Sequence, residues 1–148
     1  MVDKEARLRM MDQFPRNCQI LSLASPIIEA IATPEETPDL GCFGNDTLCA
    51  MAAAYSDRFP GWIALLPTKN MDAACAEVSR AFFELGAVGM QIYTNVVGQP
   101  LDEPEFLKII EHATAIDIPI WLHSIHPMGI SDYSTEGVSK FDLWSLRE

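Results

Sequence analysis

Short runs rich in β-branched and aromatic residues alternate along this chain with longer segments of helical period. That alternation restricts the fold more than any other feature. The runs are Cys18–Ala24 (CQILSLA), Gly61–Leu66 (GWIALL), Val88–Tyr93 (VGMQIY) and Pro119–His123 (PIWLH). Strands separated by helices need crossover connections, so the order α-β-α-β-α-β-α-β predicts parallel strands with helices on their faces. Strand centres such as Ile63, Ala64 and Leu65 carry no polar alternation, as expected where both faces are covered.

The helical segments show their faces. In Asn45–Arg58, Leu48, Met51, Ala52 and Tyr55 fall at i, i+3, i+4 and i+7, with Asn45 or Asp46 as the expected N-cap. In Met71–Leu85 the stripe is Ala74, Val78, Ala81, Phe82 and Leu85, with Asn70 as N-cap and Gly86 just past the end. In Glu103–Ile116 it is Phe106, Ile109, Ile110 and Ala113; Asp102 and Glu105 have capping-box spacing and Pro104 falls in the first turn. The opening Lys4–Phe14 places Ala6, Met10 and Phe14 in one row beside Met11. Ile27–Gly44, rich in proline and acid, reads as an irregular excursion above the sheet.

With 148 residues, 49% apolar and 21% charged, the chain is expected to form one globular domain with a real core. Ten Lys and Arg against 21 Asp and Glu leave a net charge of −11 and no basic stripe. This argues against nucleic acid and anionic membranes as partners and favours solubility. Cys18, Cys42, Cys49 and Cys75 form no C-x-x-C pair and read as reduced packing residues of a cytoplasmic protein. The opening MVDKEARLRMMDQF lacks the apolar stretch of a signal peptide, and no apolar run is long enough to span a bilayer.

Parallel α/β folds bind ligands at the carboxyl ends of their strands. The residues there are Ser22, Ser25 and Pro26, then Pro67 and Thr68, then Tyr93, Thr94 and Asn95, then His123, Ser124 and His126. His123 ends its run at the sheet rim, where a neutral imidazole ligates a metal or moves a proton; a hydrogen-bonded rim histidine is the plainer alternative. His126 follows three residues on, before Pro127. His112, late in a helix, reads as a cation favoured by the helix dipole. Neither a glycine-rich phosphate cradle nor a G-x-S-x-G elbow occurs, so Ser22 and Ser25 are weak nucleophile candidates.

A set of strings in fixed order carries a resemblance. It starts with Asn45-Asp46, Tyr55-Ser56-Asp57-Arg58-Phe59 and Ala64-Leu65-Leu66-Pro67. It continues through Leu85-Gly86-Ala87-Val88-Gly89, Gln91-Ile92-Tyr93-Thr94-Asn95, Gly98-Gln99-Pro100-Leu101-Asp102 and Asp117-Ile118-Pro119-Ile120-Trp121-Leu122-His123. Asp132-Tyr133-Ser134-Thr135-Glu136 and Ser139-Lys140-Phe141 extend it past the last strand. Together these strings resemble the amidohydrolase-related metal-dependent decarboxylases, the group of aminocarboxymuconate-semialdehyde and γ-resorcylate decarboxylases. The resemblance covers nearly the whole chain. It implies a (β/α)₈ barrel with a divalent metal at its mouth, zinc foremost and manganese in some members. It makes His123 the mid-chain metal ligand, puts Asn95 and His126 beside the substrate, and implies non-oxidative loss of CO₂ from an aromatic or unsaturated carboxylic acid.

The chain also departs from that family. The Glu-x-His or His-x-His ligand pair of the opening strand, the later acid–base histidine and the last-strand aspartate ligand have no counterpart in it. Ser124 and His126 stand where many relatives have Pro and Arg. A full barrel needs about 250 residues. We therefore expect residues 1–148 to form about half of a TIM-type (β/α)₈ barrel, a partial domain inactive alone and prone to self-association through its open edges. The alternatives are a non-catalytic α/β module that pairs with itself or a partner, a metal-dependent hydrolase of the same superfamily, and an open-sheet binder of small molecules without metal.

Overall fold

A computed structural model describes residues 3–23, 26–96 and 98–124. His126, the candidate strings beyond it and the closing residues lie outside these. The elements run α1 (Lys4–Asp12), β1 (Ile20–Leu21), α2 (Ile28–Ile31), α3 (Thr37–Ala54), β2 (Gly61–Ala64), α4 (Met71–Phe83), β3 (Gly89–Tyr93), β4 (Asn95–Val96), β5 (Gln99–Pro100), α5 (Pro104–Ala115) and β6 (Ile120–His123).

Strands β1, β2, β3 and β6 form one parallel sheet in that order. Spatial order follows chain order with no reversal. Four consecutive staves of a barrel wall have this arrangement, whereas a doubly wound sheet has a switch point. The expected half-barrel architecture is therefore present. A short antiparallel hairpin, β4–β5, which periodicity gave no sign of, rises after β3.

One sheet face is covered by helices. Leu21, Trp62, Ala64, Met90 and Ile92 pack there with Leu48 and Ala52 of α3, Ala74, Val78 and Ala81 of α4, and Ile109 and Ala113 of α5. The other face begins as an apolar groove of about 360 Å³ at the amino ends of the strands, lined by Ile20, Ile63, Val88, Gly89 and Trp121. Trp121 is 59% exposed there, and β1 and β6 are the sheet's edges among the described residues.

The helix ends follow their local chemistry. Asn70 caps α4 by accepting from the Ala73 N–H at 3.1 Å. Gly86 takes φ +75° beyond it, a backbone state that costs an L side chain about 1–2 kcal/mol. Helix α5 ends the same way, but with Asp117 at φ 57°. The Asp117 N–H returns to Thr114 and the Ile118 N–H to Ala113, as in a Schellman turn.

Three expectations about the helices fail. Helix α3 begins at Thr37, not at Asn45, and most of the supposed excursion is helical. Pro38 lies in its first turn, where a missing N–H costs little. Its glycines, which hide the pattern, allow close approach: a Cβ on Gly44 would sit 3.2 Å from a Leu23 methyl and 3.3 Å from a Leu65 methyl. Second, Glu103 rather than Asp102 precedes α5 and makes no side-chain cap, so the capping box is displaced by one residue and not formed. Third, α1 docks through Met11, while Met10 and Phe14 are exposed. Here Arg7 fixes the helix roll, bonding Gln19 Oε1 through Nε and Nη2 and lying 5.3 Å from the Phe59 ring centre.

Asn45, expected as a cap, is instead a fully buried interior residue of α3. Its Oδ1 accepts from the Leu65 N–H at 2.8 Å, and its Nδ2 donates to the Leu65 carbonyl at 2.9 Å. The amide thus stands in for a neighbouring strand. Nδ2 also donates to Glu77 Oε1 at 2.7 Å. Burial alone would push the Glu77 carboxyl up, but the bonds from Arg80, Asn45 and Cys42 outweigh it and hold it below the usual range.

The four cysteines are free thiols. Burial raises Cys42 and Cys75 above the ordinary thiol range, with Glu77 and Asp72 respectively adding to the effect. Cys18 is exposed rather than packed.

Replacing Asn45 with Ala strands the Leu65 peptide groups in the core and should lower stability by about 3 kcal/mol. The urea midpoint should fall at unchanged slope; an unmoved midpoint would refute the clamp. Asp117→Gly should raise stability by about 1 kcal/mol, because glycine adopts the left-handed state without the side-chain penalty.

Candidate functional site

Direct partners across parallel strands share a face. Gln91 pairs with Trp121, and Tyr93 with His123. Their neighbours Met90 and Ile92 point into the helix layer, so Gln91, Tyr93 and His123 lie on the face without helices. They climb toward the carboxyl ends of the strands, where the apolar groove gives way to a polar mouth.

The mouth is ordered by hydrogen bonds to the end of β1. Gln91 Nε2 donates to the Leu23 carbonyl at 2.9 Å and to Tyr93 Oη at 3.0 Å. The Tyr93 hydroxyl donates to the same carbonyl at 3.2 Å. Burial raises the Tyr93 phenol to about 12; the Gln91 bond opposes this and Glu29 adds to it. Tyr93 is therefore a neutral phenol at physiological pH. Its ring meets the His123 ring edge to face, with centres 5.6 Å apart.

Glu29 enters from α2 and is buried beside the end of β2. Its Oε1 accepts from the Thr68 N–H at 2.9 Å and from the Thr68 hydroxyl at 2.6 Å. Its Oε2, like Gln91 Oε1, is buried without a hydrogen-bond partner. Such orphans are rare in folded proteins, because a buried acceptor without a donor costs about 1–3 kcal/mol.

His123 is half-buried, and its Nδ1 lies 2.8 Å from the Ser124 carbonyl oxygen. A carbonyl only accepts, so Nδ1 carries the hydrogen and the neutral ring has its lone pair on Nε2. Histidine ligands commonly use this arrangement, with the second nitrogen anchored to a carbonyl. The donor chemistry of His123 therefore fits a divalent metal. Among the described residues, however, no three His, Cys, Asp or Glu side chains are grouped to hold one.

Of the residues singled out by sequence, the structure brings Thr68, Tyr93 and His123 to the mouth. Asn95 stands at the foot of the β4–β5 hairpin, where its Oδ1 accepts from the Gly98 N–H at 3.0 Å. His112 bonds Ser79 Oγ at 2.8 Å between α5 and α4, away from the mouth. Motifs and strand-end positions do not single out Glu29, one acid of a segment rich in proline and acid, or Gln91. Gln91 had a readable signal: it shares the inward parity of Gly89 and Tyr93, a polar side chain where a buried strand should be apolar.

With this geometry in view, comparison with known proteins is informative. Residues 3–139 match the amidohydrolase family model. The chain is 34% identical over 134 residues to the γ-resorcylate decarboxylase of Rhodococcus jostii, covering 84% of this chain and 40% of that protein. It is 27% identical over 127 residues to the 2-amino-3-carboxymuconate-6-semialdehyde decarboxylase of Dictyostelium discoideum, covering 86% and 35%. Its fold matches a dihydroxybenzoic acid decarboxylase from Polaromonas sp. JS666, solved with manganese and the inhibitor 2-nitroresorcinol. That match has a TM-score of 0.74 and 29% identity and covers 86% of this chain and 40% of the other. The chain thus spans no more than about two-fifths of the length of these relatives. Four parallel staves in barrel order, a histidine ending the last of them, and a family match over nearly the whole chain lead to one conclusion: the chain belongs to the amidohydrolase family.

Proposed function

We propose that residues 1–148 are a partial barrel domain of a metal-dependent, non-oxidative decarboxylase of hydroxylated aromatic acids. The observation that carries this is the place of His123: a strand-end imidazole on the open face whose Nδ1 lies 2.8 Å from the Ser124 carbonyl oxygen, so that Nε2 is the nitrogen turned to ligation in the neutral ring. The decarboxylases among the relatives, and the manganese in one of their structures, support the same reading.

In this reading His123 holds the ion, zinc or manganese, through Nε2, and the remaining ligands come from outside the described residues. When bound, the ion supplies positive charge that polarises substrate oxygens and stabilises charge left as CO₂ departs. Tyr93 keeps its proton and, through its edge contact, fixes the plane of the His123 ring. Asn95 is the described candidate for the substrate side of the rim, and His126, the second candidate, lies outside the described residues. The four free thiols suit a reducing, cytoplasmic setting. No helix among the described residues is long and apolar enough to cross a membrane. The open edges at β1 and β6 favour self-association.

Bound manganese should broaden the His123 ring resonances in a barrel completed by the remaining strands, and His123→Ala should weaken metal retention. In a barrel completed by the remaining strands, CO₂ release from 2,6-dihydroxybenzoate should fall by about 100-fold or more in His123→Ala. Turnover that survives this change would refute the assignment. The 148 residues alone should release no CO₂ above the buffer rate. Tyrosine absorbance should show one phenol titrating near 12, attributable to Tyr93 by its loss in Tyr93→Phe.

A further inference from the structure

Three hydrogen bonds close a triangle at the polar mouth. Gln91 Nε2 donates to the Leu23 carbonyl at 2.9 Å and to Tyr93 Oη at 3.0 Å, which uses both amide hydrogens. The Tyr93 hydroxyl gives its own hydrogen to the same carbonyl at 3.2 Å. Leu23 lies just past β1 and the two side chains start from β3, so they cross β2 on the open face. Gln91 and Tyr93 are 2% and 4% exposed, which shields these bonds from competing water. A phenol hydroxyl prefers the plane of its ring. Bonds received and made at Oη therefore restrict rotation of the Tyr93 ring about its long axis.

That ring is the wall against which His123 stands. The two residues are direct partners across β3 and β6, and their rings meet edge to face with centres 5.6 Å apart. Strand β6 is an edge among the described residues, so no described strand flanks His123 on its other side. The bond between Nδ1 and the Ser124 carbonyl is exposed and reaches only the next residue, so it holds the ring less firmly than a buried contact does. We propose that Gln91 is a positioning residue: it locks the Tyr93 ring and, through that ring, orients His123. This rests on the reading of His123 as a metal ligand and adds to it a support that makes no bond to the imidazole itself.

Gln91→Met keeps the length of the side chain and removes both donors. In carbon–proton spectra of the 148-residue chain, the two edges of the Tyr93 ring should give separate signals that merge in Gln91→Met, where the ring turns freely. Nitrogen–proton spectra of the neutral His123 ring should show one tautomer in the parent chain and a mixture in Gln91→Met. Tyr93→Phe should act on His123 in the same way. In the Tyr93→Phe background Gln91→Met should add nothing, as required of a residue that works through Tyr93. A His123 ring indifferent to Gln91→Met, or one that loosens further in the double variant, would overturn the proposal. If Gln91→Met loses the dispersed spectrum of the folded chain, Tyr93→Phe breaks the triangle from its other end and must release His123 by itself. In a barrel completed by the remaining strands, Gln91→Met should weaken manganese retention about tenfold. Manganese held equally well by parent and Gln91→Met overturns the positioning role and leaves the ligand reading standing. A completed barrel that holds no manganese, while His123 still responds to Gln91→Met, loses the ligand reading alone.

Discussion

The mouth of this half barrel depends on one side-chain amide. Asn45, inside α3, grips both peptide groups of Leu65 where β2 has run out of strand partners. Residues 61–68 are buried without interruption, so a loose end there would leave polar backbone in the core. Holding Leu65 fixes the approach to Thr68, and Thr68 in turn holds Glu29 through its N–H and its hydroxyl. The same helix passes close to the end of β1, because Gly44 lets it lie against Leu23 and Leu65 together. Leu23 is the residue whose carbonyl receives Gln91 and Tyr93. One helix therefore sets the ends of two strands, and the polar groups of the mouth hang on those two ends.

The grip on Leu65 is itself held from behind. Glu77 on α4 accepts from Asn45 while Arg80 pairs with it in two bonds and reaches Asp46 on α3. A buried carboxylate is tolerated there because its partners are charged and directional, and stripping either partner away would leave the other uncompensated. This network lies between the helices and well behind the mouth, so its contribution is to position rather than to react.

Much of this architecture was legible from residue pattern. Four strand runs and the α4 stripe follow directly from periodicity, and Asn70 and Gly86 occupy the capping places their chemistry predicts. The errors share a cause. Local signals assign Asn45, Asp102 and Gly44 to caps and loops, because Asn, Asp and Gly disfavour helix interiors in isolation. In the folded chain, Asn45 answers to Leu65 and Gly44 to the closeness of the sheet, neither of which is near in sequence. The mouth was half legible for the same reason. His123 is marked by its place at a strand end, whereas Glu29 acquires its meaning only when Thr68, 39 residues away, is folded against it.

Parallel strands give the two faces of the sheet different tasks, and the residue parity of β3 shows how. Met90 and Ile92 anchor the strand in the helix layer, while Gly89, Gln91 and Tyr93 alternate with them on the open side. Along that open side the composition grades from Gly89 and its apolar groove to the hydrogen-bonded Gln91 and then to Tyr93 against His123. The polar groups thus stand at one end of an otherwise apolar wall, and the hydrogen bonds of the buried Gln91 and Tyr93 act with less screening than bonds at the surface. A histidine with its tautomer fixed by Ser124 is a better-defined donor there than a freely turning ring on a loop. Because parity ties His123 to Tyr93, and Tyr93 to Leu23, the orientation of that ring follows from the same packing that stabilises the sheet.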